Sequence, residues 1–269
     1  VRCCVRRAVR DADEIEWDPR GGQFSLVDDG QINSIINLAG EPILGRWTEA
    51  KKQRIRDSRV TGTGLLARWV ADLDRQCSFI SASAIGIFGS NADDIHHEES
   101  ALGSGFLADV CKVWEQAANP ARQQGHRVVH PRIGLVLSTE GGALQKMLPA
   151  FRLGLGGPVG SGVQWNSWIT LDDIVSIFVR MVTDEQLTGA VNCVAPSPVQ
   201  NKTFAQILAR QLKRPAFLAV PKFGLQMMLG EMAEQTLLAS QRVEPRVLNR
   251  LGYSFSASSL DDAFRSLLT

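Results

Sequence analysis

The chain has 269 residues, 44% of them hydrophobic, enough to bury one large core or a core with a smaller lobe. Its 29 basic and 28 acidic residues leave a net charge of +1 and read as well mixed, with no footprint for nucleic acid or an anionic membrane. No apolar run approaches the ~18 residues that span a bilayer, no signal-peptide pattern opens the chain, and the five cysteines (Cys3, Cys4, Cys77, Cys111 and Cys193) lack metal-ligand spacing, which fits free thiols in a reducing cytoplasm.

In chain order, four short β-rich runs stand out: VRCCV (1–5), SIINLAG (34–40), CSFISAS (77–83) and RVVHPRIGLVL (127–137). None alternates strictly with polar residues, as expected of strands buried on both faces. Between them lie helical patterns. Thr48 to about Leu73 carries Ile55, Leu65, Leu66, Trp69 and Val70, and GFLADVCKVWEQAA (105–118) sets Phe106, Leu107, Val110, Cys111 and Trp114 on one stripe. Strands alternating with helices predict a doubly wound, Rossmann-like α/β domain with a parallel sheet.

The texture changes after Gly141. GGALQKMLPAFRLGLGGPVGSG (141–162) is glycine-rich and reads as irregular, and WITLDDIVSIFVRMV (168–182) restarts a helix at Thr170 and Asp173, whose spacing suits a helix start. Asn201 is the expected cap of a following helix, and Pro221 and Pro245 suit first turns near the C-terminus. The expected organisation is a dinucleotide-binding domain over 1–140 and a smaller, mostly helical lobe over 141–269 that returns strands to the sheet.

Ligands of open α/β sheets bind beyond the carboxyl ends of the strands. The loop after the first run carries Arg6 and Arg7, and no acid before Asp11. In dinucleotide-binding folds arginine there pairs with the 2′-phosphate of NADP, whereas an acid accepts the 2′-hydroxyl of NAD; a solvated basic turn is the plain alternative. NLAGE (37–41) and SASAIG (81–86) end their strands in small residues that let backbone approach a ligand. TGTGLLA (61–67) contains G-x-G-x-x-A but follows the charged helical stretch EAKKQRIRDSR, so Gly62 and Gly64 are expected within a helix. GLGGPVGSG (154–162) reads as a loop, HHEE (96–99) as a solvated loop rather than a metal site, and His126 and His130 have no partner spacing.

IINLAGEPILGRWTEAKKQRIRDSR (35–59), SASAIGIFG (81–89), GFLADVCKVWE (105–115), GGALQKMLPAFRLGLGGPVGSG (141–162), WITLDDI (168–174) and the tail RPAFLAVP…GEMAEQTLLASQRVEPRVL…LGYSF cover nearly the whole chain. On these residues the chain resembles the atypical short-chain dehydrogenase/reductase superfamily, and within it an epimerase-like branch with a C-terminal domain of unknown function. The resemblance implies an NADP-binding epimerase or oxidoreductase acting on a small molecule. It implies cofactor contacts from Arg6, Arg7, Leu38, Ala39, Gly40, Arg59, Ser81, Ala82, Ser83, Arg132 and Val136. A substrate would meet Ser83, Lys146, Arg152, Gln164, Trp165 and Trp168, although both tryptophans equally suit the core of the lobe.

Two departures bear on chemistry. The superfamily's first strand and glycine-rich turn precede its VRCCV-like strand, and this chain starts at VRCCV; about 25 residues of a βα unit are the expected difference. The superfamily's acid/base is a tyrosine with a lysine four residues later, the lysine lowering a phenol pKa that is otherwise near ~10. Here the sole tyrosine, Tyr253, is followed at that spacing by Ala257, and alignment on Glu115 puts Leu107 and Cys111 at the two positions. Ser83 is then the weak candidate for proton transfer. A non-catalytic NADP sensor or scaffold stays open beside the enzyme, as does a chain that binds no dinucleotide.

Overall fold

The computed structural model describes residues 1–24, 26, 30–90 and 94–268. VRCCV is extended as β1 (Cys3–Val5), but contrary to expectation it lies outside the main sheet. It pairs in parallel with β2 (Glu14–Asp18), which turns back as β3 (Gln23–Phe24), and the three form a sheet of their own. The reason lies in β2, where Ile15 and Trp17 alternate with acids. Trp17 is buried against Leu66, Ala67 and Val70, so this small sheet packs on a helix rather than joining the larger ladder.

The main sheet takes β4 (Ser34–Asn37), then after helix α1 (Glu49–Ala71) β5 (Ser78–Ser81) with its continuation β6 (Ser83–Ala84). A 3₁₀ turn over Ile85–Phe88, β7 (Ile95–His96), α2 (Phe106–Gln116) and α3 (Asn119–Gln123) lead to β8 (Arg127–Ile133). β4, β5 and β8 are parallel neighbours, with Ile36 beside Ile80 and Phe79 beside Val128. Successive strand residues point to opposite faces. Accordingly Phe79 and Val128 pack with α1, while Ile80 and Val129 pack on the other side. Both faces are apolar because both are covered, and burying each such side chain contributes about 1.5–3 kcal/mol. The Thr48 hydroxyl starts α1 by accepting from Lys51 N at 3.2 Å. Gly62 and Gly64 lie inside that helix as expected, and a Cβ on Gly62 would stand 3.1 Å from the Trp17 ring.

The second half continues with β9 (Leu135–Leu137) and α4 (Gly142–Arg152). The latter is a correction to the irregular reading of 141–162: Leu144, Leu148 and Phe151 share one buried face that outweighs the flanking glycines and Pro149. β10 (Trp165–Asn166), β11 (Trp168–Thr170) and α5 (Leu171–Thr183) follow. Asp173 N donates to Thr170 Oγ1 at 3.1 Å as expected of a cap. The Asp173 carboxylate instead accepts from Thr170 Oγ1, Ser256 N and Ser256 Oγ, each at 2.8 Å. β12 (Gly189–Cys193) returns to the main sheet in parallel with β8, giving the order β12-β8-β5-β4.

The remaining elements are β13 (Val199–Gln200), α6 (Asn201–Gln211), α7 (Lys222–Leu229), α8 (Glu231–Gln235), β14 (Arg242–Val243), α9 (Arg246–Arg250) and α10 (Leu260–Leu268). Asn201 is the first residue of α6 rather than its cap, and its Oδ1 accepts from Val159 N at 2.7 Å. Pro221 and Pro245 stand one residue before α7 and α9. A core of Leu137, Trp168, Phe204 and Phe264 holds this half together, and β14 ties it to β7. Among the described residues no helix is long and apolar enough to cross a membrane.

Candidate functional site

The carboxyl ends of β4, β5–β6 and β8 converge on one rim. At the end of β4, Asn37 is turned inward: its Nδ2 donates to Thr63 Oγ1 at 2.9 Å and its Oδ1 accepts from Ala39 N at 3.2 Å. The chain therefore leaves the strand through Leu38, 59% exposed, and the small residues Ala39 and Gly40. The Arg59 guanidinium lies against Gly40, where a Cβ would stand 3.1 Å from it. Arg59 Nη1 donates to the Glu41 and Ile55 carbonyls, and the guanidinium sits 5.0 Å over the Trp114 ring. Burial lowers the Arg59 pKa. Arg59 is thus a wall of the rim with its charge turned to backbone and ring.

At the end of β5, Ser81 is fully buried and its hydroxyl has no hydrogen-bond partner among the described residues, while Ala82 is buried beside it. Ser83 in β6 pairs in register with Arg132 in β8, so both side chains leave the sheet on the face that α2 covers. Glu115 of α2 meets them. Ser83 Oγ donates to Glu115 Oε1 at 2.7 Å, Arg132 Nε to Oε1 at 2.9 Å and Arg132 Nη2 to Oε2 at 3.0 Å. Arg132 Nη1 donates to the Glu98 carbonyl at 3.0 Å, and the guanidinium lies 5.3 Å over the Phe88 ring. Burial pushes the Glu115 carboxyl up, but Arg132, His130 and the Ser83 hydroxyl outweigh it and hold it below the usual carboxylate range. Arg132 therefore acts as a strut through Glu115 rather than offering free donors to the rim.

His130 stands next to this network, with Nδ1 3.4 Å from the Ser81 carbonyl and Nε2 3.0 Å from Arg122 Nη2. Burial lowers its pKa to about 4, keeping the ring neutral. Glu115 served in the sequence only as an alignment anchor, yet it is the hub. It lies four and eight residues after Cys111 and Leu107, an acid in line with a buried stripe, and that spacing is its sequence signal. Cys111 itself is buried and its thiol is pushed up to about 12 by burial. Tyr253 lies elsewhere, its hydroxyl 3.2 Å from Asp173 Oδ1.

Arg6 and Arg7 follow β1 and are exposed. Arg7 is engaged with Glu14, Nη1 to Oε2 at 2.8 Å and a second contact through Nη2. Val136 is half-buried in β9, paired with Ile169. Of the residues expected to line a substrate, Lys146 and Arg152 are exposed on α4. Gln164 is buried, and its Nε2 donates to the Val159 and Leu237 carbonyls. Trp165 is half-buried under the Arg242 guanidinium at 4.3 Å. Trp168 is 0% exposed in the core, with Nε1 donating to the Ser197 carbonyl at 2.9 Å, the core placement that its residue type equally suited. In HHEE, His96 is buried and stacked 4.9 Å from Phe88, and no cluster of three or more metal-ligating side chains occurs among the described residues.

The sequence profile of the NAD-dependent epimerase/dehydratase family matches residues 7–193, and that of a domain of unknown function matches residues 220–267. An epimerase family protein of Mycobacterium bovis is 40% identical over 96% of this chain and 86% of its own length. The crystal structure of the human epimerase family protein SDR39U1 with NADPH has a TM-score of 0.89 at 31% identity, covering 98% of this chain and 89% of that one. A nucleoside-diphosphate sugar epimerase from Corynebacterium glutamicum has a TM-score of 0.77 at 36% identity, over 98% of this chain and 52% of its own. The Rossmann-like sheet, the rim at its carboxyl ends and these likenesses together show that the chain belongs to the NAD-dependent epimerase/dehydratase family, in the atypical short-chain dehydrogenase/reductase branch that carries a helical C-terminal domain of unknown function.

Proposed function

We propose that this chain binds NADP along the rim and works as an epimerase-like oxidoreductase on a small molecule, in the cytoplasm and without nucleic acid. The observation that carries the reading is the run of small residues ending β4 and β5–β6, Ala39, Gly40 and Ala82, in a fold shared with a relative crystallised with NADPH. The residues present fit the group. Exposed Leu38 offers an apolar contact beside Ala39 and Gly40, and Ser81 has a buried hydroxyl without a partner among the described residues, a state that is destabilising by about 1–3 kcal/mol unless a neighbouring group takes it up.

In this reading Leu38, Ala39 and Gly40 flank the adenosine and pyrophosphate, with Arg59 and Val136 as walls, and Ser81 to Ser83 face the nicotinamide end. Arg6 and Arg7 meet the 2′-phosphate. The Arg7–Glu14 pair is exposed, and such pairs contribute little, so a dianionic phosphate competes well for it. When bound, the nicotinamide supplies a hydride acceptor or donor. Lys146, Arg152 and Trp165 are the candidate substrate contacts.

One observation favours a second reading, an NADP sensor without turnover. The helix positions of the usual tyrosine and lysine hold Leu107 and a buried Cys111, and Glu115, kept ionised, holds the hydroxyl proton of Ser83. Calorimetric titration with NADP and NAD, followed by absorbance at the reduced-nicotinamide band across carbonyl compounds and nucleotide sugars, separates the two. NADP binding with substrate-dependent hydride transfer supports the enzyme. Binding without transfer supports the sensor, and absence of binding rejects both.

A further inference from the structure

The charges that balance over the whole chain are unevenly spread. No Asp or Glu occurs between Glu140 and Asp172, nor between Glu185 and Glu231, whereas Lys146, Arg152, Lys202, Arg210, Lys213, Arg214 and Lys222 all fall in those stretches. The two stretches meet in the fold. Arg214 Nε donates to the Arg152 carbonyl at 2.9 Å, Val220 N to the Pro158 carbonyl at 2.8 Å and Gly160 N to the Val220 carbonyl at 2.9 Å. A Cβ on Gly157 would fall 2.2 Å from Leu218 O, so glycine there permits the close approach.

The surface they build is apolar as well as basic. Leu153, Leu155, Phe217, Phe223, Met227 and Met228 are each between 58% and 74% exposed. Helix α7, in spite of Phe223, Leu225, Met227 and Met228, has no buried residue. Lys213, Arg214 and Lys222 stand exposed in the same segment. Scattered exposed apolar residues are ordinary, but Phe223 and Met227, one turn apart on a helix with no buried residue, present an apolar face of the kind that marks an interaction surface.

We propose that this face docks on an anionic lipid bilayer. The charge pattern argues against a second copy. A two-fold pairing would bring together two copies of a face that carries Lys213, Arg214 and Lys222, while the nearest carboxylates, Glu231 and Glu234 of α8, are engaged with Lys52 and Gln226. A bilayer takes protruding apolar tips into the boundary between headgroups and acyl chains and meets the surrounding cations with phosphates. Peripheral docking needs no spanning helix. The even overall charge, which at the level of composition excludes an anionic membrane, conceals this local segregation.

The test is co-sedimentation of the full chain with vesicles of phosphatidylcholine alone and of equal parts phosphatidylcholine and phosphatidylglycerol. Binding to the anionic vesicles at least about tenfold tighter than to the neutral ones is expected, weakening with salt. R214E with K222E should remove that preference, and Phe223→Ser with Met227→Ser should reduce binding about tenfold or more. All four side chains are exposed, and unchanged circular dichroism and melting verify that the variants fold. Three results would overturn the proposal: no preference for anionic vesicles, equal binding by the charge-reversed variant, or a dimer in light scattering that Phe223→Ser abolishes. Equally tight binding to soluble poly-glutamate would assign the face to acidic protein instead of lipid and would also overturn it.

Discussion

The Ser83 hydroxyl and the Glu115 carboxylate, 32 residues apart in the chain, meet at 2.7 Å across the junction between β6 and α2. Because Glu115 also takes two donors from Arg132, the serine's proton points away from the rim and its lone pairs are what remain for a ligand.

Breaking this junction on one side leaves a buried charge. Glu115→Gln deprives Arg132, 5% exposed, of its counter-charge and should destabilise the fold by about 3–5 kcal/mol. Combining it with Arg132→Met should recover a large part of that loss. Guanidinium unfolding of the single and double variants measures both. A loss under about 1 kcal/mol for Glu115→Gln would mean the pair is effectively solvated.

His130 gives the fold an acid-sensitive component. Above pH 6.5 folded and unfolded chains both hold it neutral. Between 6.5 and about 4 the unfolded chain takes up a proton that the folded chain, because of burial, does not. Stability therefore falls on acidification through that window, by up to about 3 kcal/mol. His130→Asn should flatten the slope measured by urea unfolding across these pH values. A residual slope is expected from His96 and His126, whose pKa values burial also lowers. An unchanged slope would remove His130 from the explanation.

Thr63, buried in the middle of α1, accepts from both Asn37 Nδ2 and Trp114 Nε1 at 2.9 Å. Thr63→Val keeps the shape and strands two buried donors, with an expected loss of about 2–4 kcal/mol. Thr63→Ser keeps the acceptor and should retain most of the stability. Thermal melts of the two variants test the contrast, and equal losses would show that the methyl group matters more than the oxygen.

If Arg6 and Arg7 read the 2′-phosphate, replacing both with alanine should weaken NADPH binding by about 10- to 100-fold and leave NADH nearly untouched. Titration calorimetry decides. Parallel losses for the two cofactors would place the arginines away from the phosphate.

The parallel sheet was readable because Phe79–Ile80 and Val128–Val129 show no alternation, the mark of strands covered on both faces. Helix α4 was hidden by Gly141, Gly142 and Pro149, although Leu144, Leu148 and Phe151 keep helical spacing. β2 carried its own signal in the alternation of Glu14-Ile15-Glu16-Trp17-Asp18. What no local pattern reveals is partnership. Residue type alone cannot say that Arg132 would turn to Glu115, that Gln164 would bond two carbonyls, or that Trp168 would be enclosed rather than line a cleft. These depend on contacts between residues far apart in the chain.

The position of β12 beside β8 has a consequence for synthesis. A ribosome that has released residues through 140 has delivered β4, β5 and β8, but one flank of β8 must wait until Cys193 has emerged. The nascent chain thus carries an open ladder edge for more than fifty codons, a period in which pairing with another polypeptide is the main hazard. The main sheet is therefore finished only by a strand that arrives from far downstream.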